Sequence, residues 1–298
     1  MKSSAAVPQN KTQDLYHEMF LRNQPIISQS TQDKLRQMRI LIAGCGSTGG
    51  AFIEGASRVG VMQFRLVDTG DYELNNLNRQ FVYPQNIGMH KATTHAYRLQ
   101  QLFGDCGAEL EVEENGVNAS NVDRLIHKVD VVFDAVDVTT ESGMKAKLLL
   151  HERAAEQKLL CLSALDLGFK QWIRVYDYRR GGEPLDGHMP AAKAARHPLK
   201  ALIEGFCPPE ELSHEISEEL IRLFKDPKAS ACQLGAACHL LAAFASPMLI
   251  RISEGKTLPK ITAVDLMRTL ETETERELSE SKRIKFQKEL SALLATIQ

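Results

Sequence analysis

Three things are missing from this chain of 298 residues. No Cys-x-x-Cys pair occurs among its six cysteines, Cys45, Cys106, Cys161, Cys207, Cys232 and Cys238, which stand in very different contexts. That pattern argues against a structural zinc site and a disulfide framework, and for reduced thiols in a cytoplasmic protein. An excess of one charge sign is missing too. With 36 basic against 38 acidic residues the formal net charge is −2 and the isoelectric point lies near 6.5, so no electrostatic footprint points to nucleic acid or an anionic membrane. The third absence is a clean apolar span. The longest apolar stretch, 234–252, is rich in alanine and interrupted by His239, Ser246, Pro247 and Arg251, which reads as a buried helix rather than a bilayer crossing. The N-terminus shows no signal-peptide pattern. What remains, 43% hydrophobic and 25% charged residues, is enough for a full core built as one domain with elaborations.

The informative stretch is 38–91. A short apolar run, 40–43, leads straight into Gly44-Cys45-Gly46-Ser47-Thr48-Gly49-Gly50, after which 51–59 reads as a helix. Strand, tight glycine turn and helix N-terminus together make a phosphate cradle. Glycine permits the backbone angles and close approach that a phosphate requires, and the first helical N–H groups with the helix dipole supply the positive end. Gly44, Gly46 and Gly49 are therefore candidate nucleotide-binding positions. A second apolar run, 64–67, ends in Asp68, where such folds place the acid that bonds a ribose hydroxyl. Beyond it, Asn75-Asn76-Leu77-Asn78-Arg79-Gln80 and Lys91 set one cation after the second strand and another at the start of the next helix. A guanidinium can clamp phosphate oxygens bidentately and a lysine offers a point charge, so the pair suits a polyphosphate. The alternatives are a strand-end cap for Asp68 and solvated charges for Arg79 and Lys91.

Further along, strand and helix alternate: a helix over 88–103, strands over 109–113 and 129–136, a helix over 141–157 and a strand over 159–164. Residues 171–178 alternate again and pair with that strand as the sheet leaves parallel order. The fold expected is α/β, a Rossmann-like doubly wound sheet with a parallel first half, mixed or antiparallel later strands and its ligand at the carboxyl ends. Residues 1–12 read as disordered, 14–21 as a short helix, and Ser30 or Thr31 as the cap of a helix through Gln37. The segment 179–229 reads as irregular, with one helix over 209–224, followed by a helix over 229–252 and a strand over 260–267. The tail carries a helical stripe of Leu278, Ile284, Leu290, Leu293 and Leu294, to pack on the domain or on a partner. The organisation is thus an N-terminal arm and helix (1–37), a nucleotide-binding domain (38–270) and a C-terminal helix (271–298).

Asn76-Leu77-Asn78-Arg79-Gln80 and Gly88-Met89-His90-Lys91 resemble the NLxRQ segment and downstream G-x-x-K of the ThiF/MoeB/HesA adenylyltransferases, the ubiquitin-activating-enzyme-like superfamily. The resemblance covers roughly 22–268, with weaker matches at Asp137 and Ser163-Ala164. It implies a homodimer that binds ATP and Mg²⁺, presents the α-phosphate to the C-terminal carboxylate of a small protein or peptide, and releases pyrophosphate as an acyl-adenylate forms. It makes Asp137, taken as the last residue of its strand, the Mg²⁺ ligand in preference to Asp134. It makes Arg22 the arginine that reaches into the neighbouring protomer's site, with a solvated arginine as the alternative, and 179–229 the crossover region. Two positions depart from the pattern: Val138 stands where asparagine is expected and Ser142 where an arginine would follow. Some members pass the acyl group to a cysteine. Cys207, ahead of a helix expected to begin near Pro209, is the candidate, with an unreactive packing thiol as its competitor. Two other classes remain open, a non-catalytic nucleotide- or peptide-binding subunit and an NAD-dependent oxidoreductase.

Overall fold

A computed structural model describes residues 9–226, 229 and 231–297. Its first half comprises α1 (Gln9–Met19), α2 (Gln29–Gln37), β1 (Arg39–Ala43), α3 (Ser47–Val59), β2 (Gln63–Val67), α4 (Lys91–Phe103), β3 (Glu109–Glu113), α5 (Val122–Ile126), β4 (Val131–Asp134) and α6 (Glu141–Glu156). Its second comprises β5 (Leu160–Leu167), β6 (Lys170–Asp177), α7 (Met189–Ala194), α8 (Pro198–Gly205), α9 (His214–Lys225), α10 (Gly235–Ser253), β7 (Ile261–Asp265), α11 (Leu266–Leu270) and α12 (Glu273–Thr296). One seven-stranded sheet runs in the order β3-β2-β1-β4-β5-β6-β7. The first five strands are parallel, and β6 and β7 are antiparallel additions. The reversal at β6 follows from a tight hairpin, Gly168-Phe169, that leaves no room for a crossover helix.

Both faces of the sheet are covered. On one, Ile40, Ile42, Phe64 and Phe133 pack with Phe52 of α3 and Leu241 of α10; on the other, Leu41, Val132 and Cys161 pack with Leu150 of α6 and Leu202 of α8. This two-sided burial explains why β1 and β4 read as unbroken apolar runs. A third cluster around Trp172, Leu220 and Leu290 joins β6, α9 and α12.

Several expected boundaries move. Of the N-terminal stretch expected to be disordered, 1–8 lie outside the described residues and 9–12 are already helical. Helix α2 is capped by Ser28, whose hydroxyl accepts from the Thr31 N–H, not by Ser30 or Thr31. Helix α3 begins at Ser47, directly on the glycine turn. Residues 179–229 hold α7, α8 and α9 rather than one helix, and Pro209 opens only a 3-10 turn. In the tail, Leu290, Leu293 and Leu294 face the core while Leu278 and Ile284 are exposed.

Candidate active site

The glycine turn is held from three sides. Gly44 has φ +93°, and a Cβ there would lie 2.3 Å from the Ala135 carbonyl; a Cβ on Gly49 would lie 1.8 Å from the Gly44 carbonyl. Both glycines are therefore required by packing as well as by any ligand. Gly46, by contrast, has only Gln80 Nε2 within reach of a Cβ, at 3.8 Å, so this part of the turn has open space beside it. Asp68 at the end of β2 braces the turn: Oδ2 accepts from the Cys45 N–H at 2.6 Å, and Oδ1 from the Thr69 and Gly70 N–H groups, each at 2.8 Å. Lys91 opens α4 and donates its N–H to the Gly70 carbonyl. Its Nζ and Asp68 Oδ1 flank one point, 3.3 and 3.4 Å from where a Gly70 Cβ would sit. Acid and ammonium thus meet beside the glycine turn, as their sequence spacing suggests.

The Arg79 loop is shaped by Asn76, a buried side chain whose Oδ1 accepts from the Glu73 N–H and whose amide donates to Asn75 Oδ1 at 2.7 Å. Arg79 is half-buried, and its Nη1 donates to the Asn75 carbonyl and to Asn78 Oδ1, both at 2.8 Å. Its Nε is closed off from solvent without a partner. Burial lowers the Arg79 pKa, against the opposing pull of Cys238 and Asp166. Asn78 also donates to the Gln233 carbonyl at 3.1 Å, which ties this loop to the entrance of α10.

Strand β4 ends earlier than the sequence suggests, at Asp134 rather than Asp137. Asp134 is fully buried; its Oδ2 is shared by Lys147 Nζ, His151 Nε2 at 2.9 Å and Ser163 Oγ at 3.1 Å, all buried. Burial alone would raise its pKa, but Lys147 and His151 outweigh it and hold the carboxyl well below the ordinary range. Asp137 lies three positions past the strand in an exposed loop, so its expected place as the strand's last residue is corrected. Its Oδ1 accepts from the Thr139 N–H and hydroxyl, each at 2.8 Å, and its Oδ2 makes no hydrogen bond among the described residues. Val138 is buried among apolar residues, and Ser142 is exposed on the first turn of α6.

The ThiF family description matches residues 20–287, nearly the whole chain. The chain belongs to the ThiF family. It is 27% identical over 154 residues to adenylyltransferase and sulfurtransferase MOCS3 of Anopheles gambiae, a match covering 50% of this chain and 33% of that protein. It is 29% identical over 134 residues to the sulfur carrier protein ThiS adenylyltransferase of Bacillus subtilis (strain 168), covering 44% and 38%. The chain thus spans well under half the length of these curated relatives. Among solved structures, PaaA matches with a TM-score of 0.60 at 15% identity, covering 89% of this chain and 74% of the other. MccB of E. coli matches with a TM-score of 0.58 at 14% identity (87% and 74%), and the E. coli tRNA N6-threonylcarbamoyladenosine dehydratase TcdA with 0.55 at 18% identity (81% and 96%).

On this ThiF-family frame the remaining expectations fall apart from one another. Arg22 sits exposed in a 3-10 turn between α1 and α2. Cys207 is corrected: it is 1% exposed in the third apolar cluster, burial pushes its thiol up to about 12, and the chain after it makes a 3-10 turn at Pro209–Glu211, with α9 starting only at His214, so no α-helix begins near Pro209 to lower its pKa. The exposed cysteine is Cys232, at the rim of a cavity of about 500 Å³ formed by the β5–β6 hairpin, the segment before α9, the end of β7 and α12. Sequence reasoning also missed Asp166. It stands on β5 with Oδ2 accepting from Ser47 Oγ at 2.9 Å, Thr48 Oγ1 at 3.2 Å and Cys238 Sγ at 3.3 Å. The signal was there: an acid inside the otherwise apolar strand LCLSALDL.

Proposed function

We propose that this ThiF-family chain binds ATP with Mg²⁺ and transfers its adenylyl group to the C-terminal carboxylate of a small protein or peptide, releasing pyrophosphate. The observation that supports this reading is the meeting of the glycine turn, Asp68 and Lys91 at the carboxyl ends of parallel strands, with open space beside Gly46 and with Arg79 neighbouring Asp166, which accepts from the first residues of the glycine-turn helix. The similar structures agree with it: MccB was solved with ATP and with AMPCPP and MccA, and TcdA in complex with AMP. In this reading the first N–H groups of α3 take a phosphate, Asp68 takes the ribose, and the open Nη2 edge of Arg79 with Lys91 neutralises charge on the leaving pyrophosphate. The acceptor carboxylate is already ionised, so no base is required, and catalysis rests on in-line positioning. Asp137 fits Mg²⁺, an ion that keeps water and phosphate oxygens and asks for one or two carboxylates, because one of its oxygens is unengaged in an exposed loop. When bound, the ion would offset phosphate charge. We also infer a homodimer in which Arg22 completes the partner's site.

Calorimetric titration tests the cofactor: Mg·ATP should bind and NAD should bind more weakly, and the reverse order would overturn the assignment. In pyrophosphate exchange, Arg79→Ala should lower the rate by about 10²–10³-fold while thermal stability changes little. A second reading, a subunit that binds nucleotide without adenylating, is favoured by the buried Val138 and by Ser142, which brings no cation. ATP binding without any exchange once acceptor is supplied would select it.

A further inference from the structure

The guanidinium of Arg79 can be accounted for atom by atom. It has five N–H donors. Both on Nη1 are used, by the Asn75 carbonyl and Asn78 Oδ1. Among the described residues, neither the Nε donor nor Asp166 Oδ1 has a partner, and both are closed off from solvent. The two groups are electrostatic neighbours: each is a cause of the other's shifted proton affinity. Meanwhile Asp166 Oδ2 collects the hydroxyls of Ser47 and Thr48, the first two residues of the glycine-turn helix, and the Cys238 thiol of α10. A Cβ on Gly235, the first residue of α10, would lie 3.0 Å from the Asn78 carbonyl, so three segments close on one carboxylate. A buried acid served only by neutral donors is costly, and the cation at hand is Arg79.

We propose that Asp166 is a positioning residue for Arg79: its free oxygen takes the Nε edge of the guanidinium when nucleotide binds, leaving the Nη2 edge aimed at phosphate. Nη1 is committed to the loop, Nε to Asp166, and Nη2 to the ligand. The orphaned pair is the open form of a contact that tightens only around bound phosphate, as catalytic hydrogen bonds commonly do. This role rests on the nucleotide reading given above, and it predicts an effect confined to the phosphate end of the ligand.

The test is calorimetric titration of wild type, Asp166→Asn, Arg79→Lys and the double variant with Mg·ATP and with adenosine, each protein first shown to melt cooperatively. Asp166→Asn should weaken Mg·ATP about tenfold and leave adenosine within about twofold. Arg79→Lys keeps the charge but has no Nε edge, so adding Asp166→Asn to it should cost nothing further. Should Asp166→Asn not fold, Asp166→Ser carries the same comparison. Wild type that binds Mg·ATP, with variants that lose ATP and adenosine alike, or with losses that add in the double variant, would overturn the role of Asp166 alone. Wild type that binds no Mg·ATP would overturn the nucleotide reading and this proposal with it.

Discussion

At the scale of single residues, the protein holds several ionisable groups where water cannot reach them. His95, under the glycine-turn helix, is pushed down to about 3 by burial first and by Arg98 second. His151 is also lowered, chiefly by burial, although Asp134 pulls the other way. An unfolded histidine takes its proton near pH 6.5, whereas folded His95 resists protonation until about pH 3. The stability His95 represents is complete above pH 6.5 and is lost as pH falls below it, by about 1.4 kcal/mol per pH unit. Urea melts at pH 7.5, 6.5 and 5.5 should show the decline, and His95→Gln, which cannot titrate, should flatten it. An unchanged slope in that variant would assign the acid loss to other groups. Asp134 acts in the same direction, since its depressed carboxyl contributes fully above the ordinary carboxylate range and fades only below it.

At the scale of elements, α10 decides how the glycine-turn helix sits. A Cβ on Gly55 of α3 would lie 2.1 Å from the Ala242 carbonyl and 2.7 Å from the Ala245 Cβ, and Ser246 donates to the Gly55 carbonyl at 3.1 Å. Alanine favours a helix over glycine by about 0.5–1 kcal/mol, yet here it must push two backbones apart. Gly55→Ala should therefore lower the unfolding free energy by about 1–3 kcal/mol, measured in urea; a stabilised variant would mean that α10 gives way freely. The apolar runs of β1 and β4, the glycine turn and the Asp68–Lys91 spacing were legible in the sequence because each rests on local pattern. Helices α7 and α8 were not, because Pro190 and Pro198 read as breakers although they occupy first-turn positions where proline is tolerated. The start of α3 was hidden by Gly49 and Gly50, read as turn rather than helix. Asp166 and the burial of Cys207 depend on contacts between segments far apart in the chain, which no local pattern carries.

At the scale of the whole molecule, Arg22 is flanked by Leu21 and Ile26, 60% and 91% exposed, apolar surface that suits burial against a second copy. Light scattering at micromolar concentration should give a dimer. Mixing Arg22→Ala protein with Asp137→Asn protein should restore activity at one hybrid site, and no recovery with hybrids shown to form would remove Arg22 from the site. The antiparallel additions to the sheet bring a different consequence. Because β6 starts and β7 ends at the edge where β5 finishes, the cavity beside the β5–β6 hairpin and the glycine turn after β1 lie toward the same end of the sheet. From β5 to β1 is two strand spacings, about 10 Å, and β5 runs on to Leu167, past Ser163, which is level with the end of β1; that adds about 13 Å along the strand, so the path takes roughly five extended residues. The sheet thus sets a length: an extended chain segment that spans from the cavity to the turn needs at least that many residues.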